Sequence, residues 1–177
     1  MNDQQTIRQR AGTIAENSIR LDVERAEQVV EALNVDLAGT VVLYHQLKKH
    51  RWNVGGAEYH DLRRFFGASA RETERNADEL AQRIRTLGGV PVSAPGTVES
   101  HSPIPFEGED VYDVRTSLRA DLEAYGDLIE SVSGHVERSE SLGDHATGDL
   151  LRGQLLELER RASEIDALLG HDSLTGW

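Results

Sequence analysis

The sequence predicts an all-α protein, a four-helix bundle with a long crossover between its second and third helices. Two observations carry this. Four runs of roughly 25 to 30 residues each place apolar side chains at three- and four-residue steps, the period of one buried helix face. The breaks between them are short, long and short, and a long central break lets the second and third helices run parallel. No internal repeat and no second domain are visible in the 177 residues, a length that suits one core.

Residues 1–20 are polar, with scattered Arg8, Arg10 and Arg20, and read as a flexible N-terminal arm. Asp22 offers a cap to the first helix, whose inner face is Val23, Ala26, Val30, Leu33, Leu37, Val41, Tyr44 and Leu47. Trp52 to Ala57, with Gly55-Gly56, ends it. The second helix carries Tyr59, Leu62, Phe66, Ala70, Thr73, Ala77, Leu80, Ile84 and Leu87 and stops at Gly88-Gly89, a pair suited to a left-handed cap. Prolines 91, 95, 103 and 105 fall in the next segment and forbid one regular helix there. A third helix runs from about Tyr112 to Ser139. The fourth opens after Gly143-Asp144 and continues through Leu169. The bundle thus spans 21–170, and 171–177 form a short C-terminal tail.

Thirty-one acidic against nineteen basic residues give a formal charge of −12, which repels nucleic-acid phosphates and makes DNA binding weak or absent. Of the basic residues only Lys48 and Lys49 are lysine. Such an acid-rich, lysine-poor surface fits a halophilic setting, where salt screens self-repulsion. Cysteine is missing, so neither disulfides nor thiolate sites are expected. No apolar run reaches the ~20 residues of a membrane span, and the N-terminus lacks the regions of a signal peptide, so the expected location is cytoplasmic.

The motifs Tyr44-His45-Gln46-Leu47, Trp52-Asn53-Val54-x-Gly56, the stripe from Tyr59 to Asp78, and Arg83-Ile84-x-x-Leu87-Gly88-Gly89-x-Pro91 resemble those of the Dps-type ferritins. These are the mini-ferritins that protect DNA during starvation. Asp113 before a long helix and Gly143-Asp144 before the last extend the likeness to about residues 21–170. The resemblance implies a ferritin-like bundle, a hollow spherical homo-oligomer that is a dodecamer, and iron-oxidising centres at two-fold contacts between subunits. In that family the ligands are a His directly before Trp-Asn, a His twelve residues on, an acid four further, an Asp eleven later and a Glu four after that. This chain has Arg51, Arg63, Gly67, Asp78 and Gln82 at those spacings.

Arginine has no lone pair to donate, glycine has no side chain, and an amide is a weak ligand, so only Asp78 can still bind a metal strongly. The resemblance therefore implies a degenerate ferroxidase centre, in which Asp78 forms an interface ion pair with Arg51 or Arg63 of another subunit. A relocated iron site could use His60, Glu74 and Asp78, which fall near one stripe. His50 points about 100° from Arg51 and is no simple substitute; a surface histidine is the expectation for it and for His60. Trp52 is expected to pack, with radical quenching as the alternative. Glu72, Glu74 and Glu79 could seed mineral inside a cage, and Asp121, Glu123, Asp127, Glu130, Asp144 and Asp149 could line pores. No organic cofactor is predicted.

The sequence is compatible with three functions. The first is a cage subunit without its own ferroxidase activity, storing iron oxidised elsewhere or co-assembling with an active paralogue. The second is an active Fe(II)-oxidising storage protein with a shifted site. The third is a DNA-compacting protein using residues 1–20.

Overall fold

A computed structural model of the chain describes residues 6–170; the expected C-terminal tail lies outside the described residues. Its order is α1 (Val23–Asn53), α2 (Tyr59–Thr86), α3 (Pro95–His101), α4 (Val114–Ser141) and α5 (His145–Leu169), with no strand among the described residues. Three of the four long helices, α1, α4 and α5, begin where short polar side chains hold their first free amides. Asp22 accepts from the amides of Glu24 and Arg25, Asp113 from that of Thr116, and Asp144 from that of Thr147. α2 ends at Thr86 with Leu87 as its cap, and Gly88 follows at φ +84°.

The crossover holds one element the sequence reading did not resolve. Pro95 occupies the first turn of the seven-residue α3, where its fixed φ suits a helix start and its missing N–H has no partner to lose. The prolines exclude a long helix there and seed a short one.

Cross-links fix the directions. Along α1 and α4, His50 meets Asp121, Asp36 meets Ser131 and His135, and Glu31 meets Arg138, so one sequence rises as the other falls. α1 and α4 are therefore antiparallel. Between α2 and α5, Glu72 meets Arg160, Arg75 meets Glu157 and Arg83 meets Asp144, again antiparallel. With α1 and α2 joined by a short loop, α2 and α4 must run parallel, as the long connection predicts. Contacts run from α2 to α1, α1 to α4 and α4 to α5, closing sparsely from α5 to α2, with no diagonal pair, which describes a square bundle. Val29, Leu33, Leu43, Leu47, Phe66, Leu80, Ile84, Tyr125, Leu128, Leu151 and Ile165 are all but inaccessible and form its core. No helix among the described residues is long and apolar enough to cross a membrane.

The described part of the arm is tied to the end of α2. The Ala15 amide donates to the Gly88 carbonyl at 2.9 Å, and the Gln9 amide group donates to the same oxygen at 2.8 Å. Gly88 is doubly constrained, because its φ is left-handed and a Cβ there would overlap the Ala15 carbonyl. Gly88→Ala is expected to lower unfolding free energy by about 1–3 kcal/mol, read by denaturant titration, and to speed proteolysis within residues 6–20.

Candidate functional site

Three of the five positions that the family resemblance marks as the iron centre, Arg51, Arg63 and Gly67, meet where α1 ends and α2 begins. Arg51 lies in the last turn of α1, and its side chain crosses the face of Gly67 on α2. A Cβ at Gly67 would stand 3.0 Å from Arg51 Nε, so the guanidinium stem fills the volume that a side chain at 67 would need. Arg51 Nε is buried and has no hydrogen-bond partner. Arg63 flanks it: its Nη1 donates to the Arg51 carbonyl oxygen at 3.1 Å, and its guanidinium stands 5.7 Å from the centroid of the Tyr59 ring. Among the described residues neither cation meets a carboxylate.

Asp78 and Gln82 are exposed, and they lie far along the same helix. Fifteen residues separate Asp78 from Arg63, about 22 Å at the rise of an α-helix. Within one chain the five positions cannot form one site. The same arithmetic parts the relocated set, since His60 stands about 21 Å from Glu74 along α2. Among the described residues no three His, Asp or Glu side chains come together as a metal-holding group.

α2 divides its charges between two faces. Toward α5, Glu72 takes Arg160 at 2.7 Å and Arg161 at 3.2 Å, Arg75 takes Glu157 at 2.5 Å, and Arg83 takes Asp144 at 2.6 Å. Glu79 receives the Gln154 amide at 3.3 Å. Glu72 is thus a neutralised, largely buried carboxylate, unlike the solvated group that mineral seeding requires. Toward the outside, Arg51, Arg63, Glu74 and Asp78 have no ionic partner among the described residues. Arg51 and Arg63 stand toward one end of this face and Glu74 and Asp78 toward the other, with the exposed Arg71 between them.

Trp52, expected to pack, is 64% exposed, with the Lys48 ammonium over its ring at 5.8 Å. His50, expected at the surface, is 4% exposed. It follows Leu43 and Leu47 at seven- and three-residue steps, which places it on the buried face of α1; that spacing was the signal available in the sequence. His50 Nδ1 lies 2.9 Å from Asp121 Oδ2 on α4, and its Nε2 lies 3.0 Å from Glu107 Oε2 in the crossover. Asp121 also accepts from Gln46 Nε2 at 2.9 Å, and Glu107 from Lys49 Nζ at 2.5 Å. Asp121 is fully buried inside this cluster and Asp144 caps α5, so neither can line a pore. Burial alone pushes the His50 pKa down, but the hydrogen bonds and charges of Asp121 and Glu107 together outweigh it and hold it above its usual value. Asp121 is raised by burial, which outweighs the donors facing it.

A ferritin-like domain matches residues 30–175 of the chain. Along 98% of its length the chain is 50% identical to the DNA protection during starvation protein of Halobacterium salinarum, covering 96% of that protein. The chain belongs to the Dps-type ferritins. The crystal structure of an archaeal Dps homologue from Halobacterium salinarum superposes with a TM-score of 0.92, covering 97% of this chain and 96% of that one. Dps of Vibrio cholerae, described as a member of a broad superfamily of ferritin-like diiron-carboxylate proteins, gives a TM-score of 0.84 at 26% identity, over 89% of this chain and 99% of that one. This Dps-type chain thus has the fold of an iron-storage and DNA-protection family, with guanidinium groups at the place that the resemblance assigns to iron ligands.

The contact of Arg51 with Gly67 has a measurable consequence. Helix propensity favours Gly67→Ala by about 1 kcal/mol, but the new methyl presses on Arg51. In a double-mutant cycle, Gly67→Ala is expected to stabilise the Arg51→Ala background more than the natural chain, by roughly 0.5–1 kcal/mol. Equal effects in both backgrounds would show that the two residues do not share this space.

Proposed function

We propose that this Dps-type chain forms a cytoplasmic dodecameric shell whose inherited ferroxidase centre has become a subunit contact. The seat of Arg51 on Gly67, with Arg63 beside it, carries this reading. Ferrous ion is the substrate of such a centre, and it would meet two fixed positive charges where imidazole and carboxylate ligands are needed. One carboxylate, Asp78, remains to offset them.

The outer face of α2 supports a second copy of this chain as the missing partner. In a two-fold contact, residue i of one copy faces j of the other and j faces i. Antiparallel pairing of α2 with its copy, centred near residues 70 and 71, sets Arg63 opposite the second copy's Asp78. It also sets Gly67 opposite the second copy's Glu74, and Arg51 lies over Gly67. Both cations then find carboxylates, and both carboxylates find cations. A bidentate guanidinium to carboxylate contact matches this geometry and replaces a metal bridge by an ion pair. The same register lets an active paralogue with intact ligands co-assemble.

Iron in this reading is cargo oxidised elsewhere. A charge of −12 keeps the shell from DNA phosphates.

Purified protein loaded anaerobically with Fe(II) and then exposed to air is expected to develop ferric absorbance no faster than a protein-free blank. Arg51→His with Arg63→His and Gly67→Asp is expected to bind ferrous ion and accelerate oxidation. Stoichiometric rapid oxidation by the natural chain would reject the reading. The contact is tested separately by charge exchange. Asp78→Arg should shift the assembly to smaller species in light scattering, and Arg63→Asp added to it should restore the large one. An unchanged mass for Asp78→Arg would remove the ion pair from the contact.

A further inference from the structure

We infer that the crossover segment around Glu107 is a strap latched to the bundle by one proton held on the His50–Asp121 pair. The argument is one of donors and acceptors. His50 has a carboxylate against each ring nitrogen, Asp121 at 2.9 Å and Glu107 at 3.0 Å. Carboxylates only accept, and a neutral imidazole has a single N–H. With both acids ionised and His50 neutral, one nitrogen must turn its lone pair toward a carboxylate oxygen. The network closes when it holds one more proton, as imidazolium on His50 or on the Asp121 oxygen that faces it. Removing that proton breaks one link.

The less deeply buried link is the one that yields. Asp121 is fully buried and held from a second side by Gln46. Glu107 lies in a segment without helix, between α3 and α4, and reaches α1 through His50 and Lys49 alone among the groups it bonds. Lys49 also donates to the Gly108 carbonyl, so strap and helix meet at two adjacent residues. Cavities open on both sides of this link. One, of about 320 Å³, is lined by Lys49, His50, Phe66, Val111 and Tyr112. The other, of about 390 Å³, is lined by His45, Lys49, Trp52, Phe106 and Glu107. Lifting Glu107 joins them and uncovers the buried face of α1 beside Arg51.

The charges around His50 come from every side that packs on it. Among the described residues, α1 contributes Lys49 and the neutral Gln46, α4 contributes Asp121, its cap Asp113 lines the cavity beside His50, the crossover contributes Glu107, and α2 contributes the Phe66 ring at 5.8 Å. Tyr125, also near Asp121, is raised well above its ordinary value by burial and stays neutral. His50 and Asp121 are both shifted upward, so the folded strap binds the proton more tightly than the unfolded chain does. The latch is therefore fully closed below the ordinary histidine value of 6.5 and opens as pH rises through the raised value of His50.

The test is hydrogen exchange of the assembled protein, read by mass spectrometry on peptides covering 102–113 and corrected for the intrinsic pH dependence of exchange. Protection there should fall at least tenfold across a single-proton transition above pH 6.5, while peptides from the middle of α4 keep theirs. Asp121→Asn supplies both groups the network needs, an oxygen for Gln46 and an N–H for the lone pair of neutral His50. This variant should stay protected through the transition. Glu107→Ala should be unprotected at every pH, and it decides the matter if Asp121→Asn fails to assemble. Flat protection in the natural protein, the same transition in Asp121→Asn, or a surviving transition in Glu107→Ala would each overturn the inference.

Discussion

A carboxylate enclosed by apolar side chains must be supplied with donors, and this requirement fixes how the two helical hairpins meet. Asp36 and Asp121 are each fully buried on the seam between α1 and α4. Asp36 Oδ1 accepts from Ser131 Oγ at 2.8 Å and lies 2.8 Å from His135 Nδ1, while its Oδ2 is buried without a partner among the described residues; Asp121 is served on both oxygens, by Gln46 and His50. A slip of α1 along α4 would strand both acids in a medium of low polarity, at a cost of several kcal/mol each. Apolar packing holds the helices together with little preference for register; the buried acids impose one.

That register governs the site. Once α1 is fixed on α4, its last turn is fixed as well, and Arg51 is delivered across Gly67 while His50, one residue earlier, is turned inward to Asp121 and Glu107. The adjacent residues face opposite tasks because a helix rotates by about 100° per residue. One projects a cation toward the outer face of α2, and the other anchors the crossover. The inner face of α2 is meanwhile neutralised by α5, through Glu72, Arg75 and Arg83. What remains outward is a charged strip in which Arg63, Arg71, Glu74 and Asp78 follow one another along α2.

In the proposed contact an ion pair would hold two subunits at the place where the family resemblance puts a metal centre. A metal bridge demands lone pairs from both sides, whereas guanidinium and carboxylate need only planar approach. The absence of a side chain at Gly67 leaves room for the Arg51 side chain. The two residues therefore share one volume.

Much of this was legible in the chain itself. Helical periodicity, caps at Asp22, Asp113 and Asp144, the Gly88-Gly89 stop and the proline-rich break determined the four long helices and their parallel crossing, because those signals act within a few residues. The identities of Arg51, Arg63 and Gly67 are likewise plain in the chain, and it is the family resemblance that makes theirs ligand positions. What only the tertiary structure decided depends on pairings across distant segments: the burial of His50 between Asp121 and Glu107, the neutralisation of Glu72 by Arg160 and Arg161, and the exposure of Trp52. A one-dimensional pattern shows which face of a helix turns inward, but it does not name the side chain waiting there, since electrostatic partners are chosen by proximity in space.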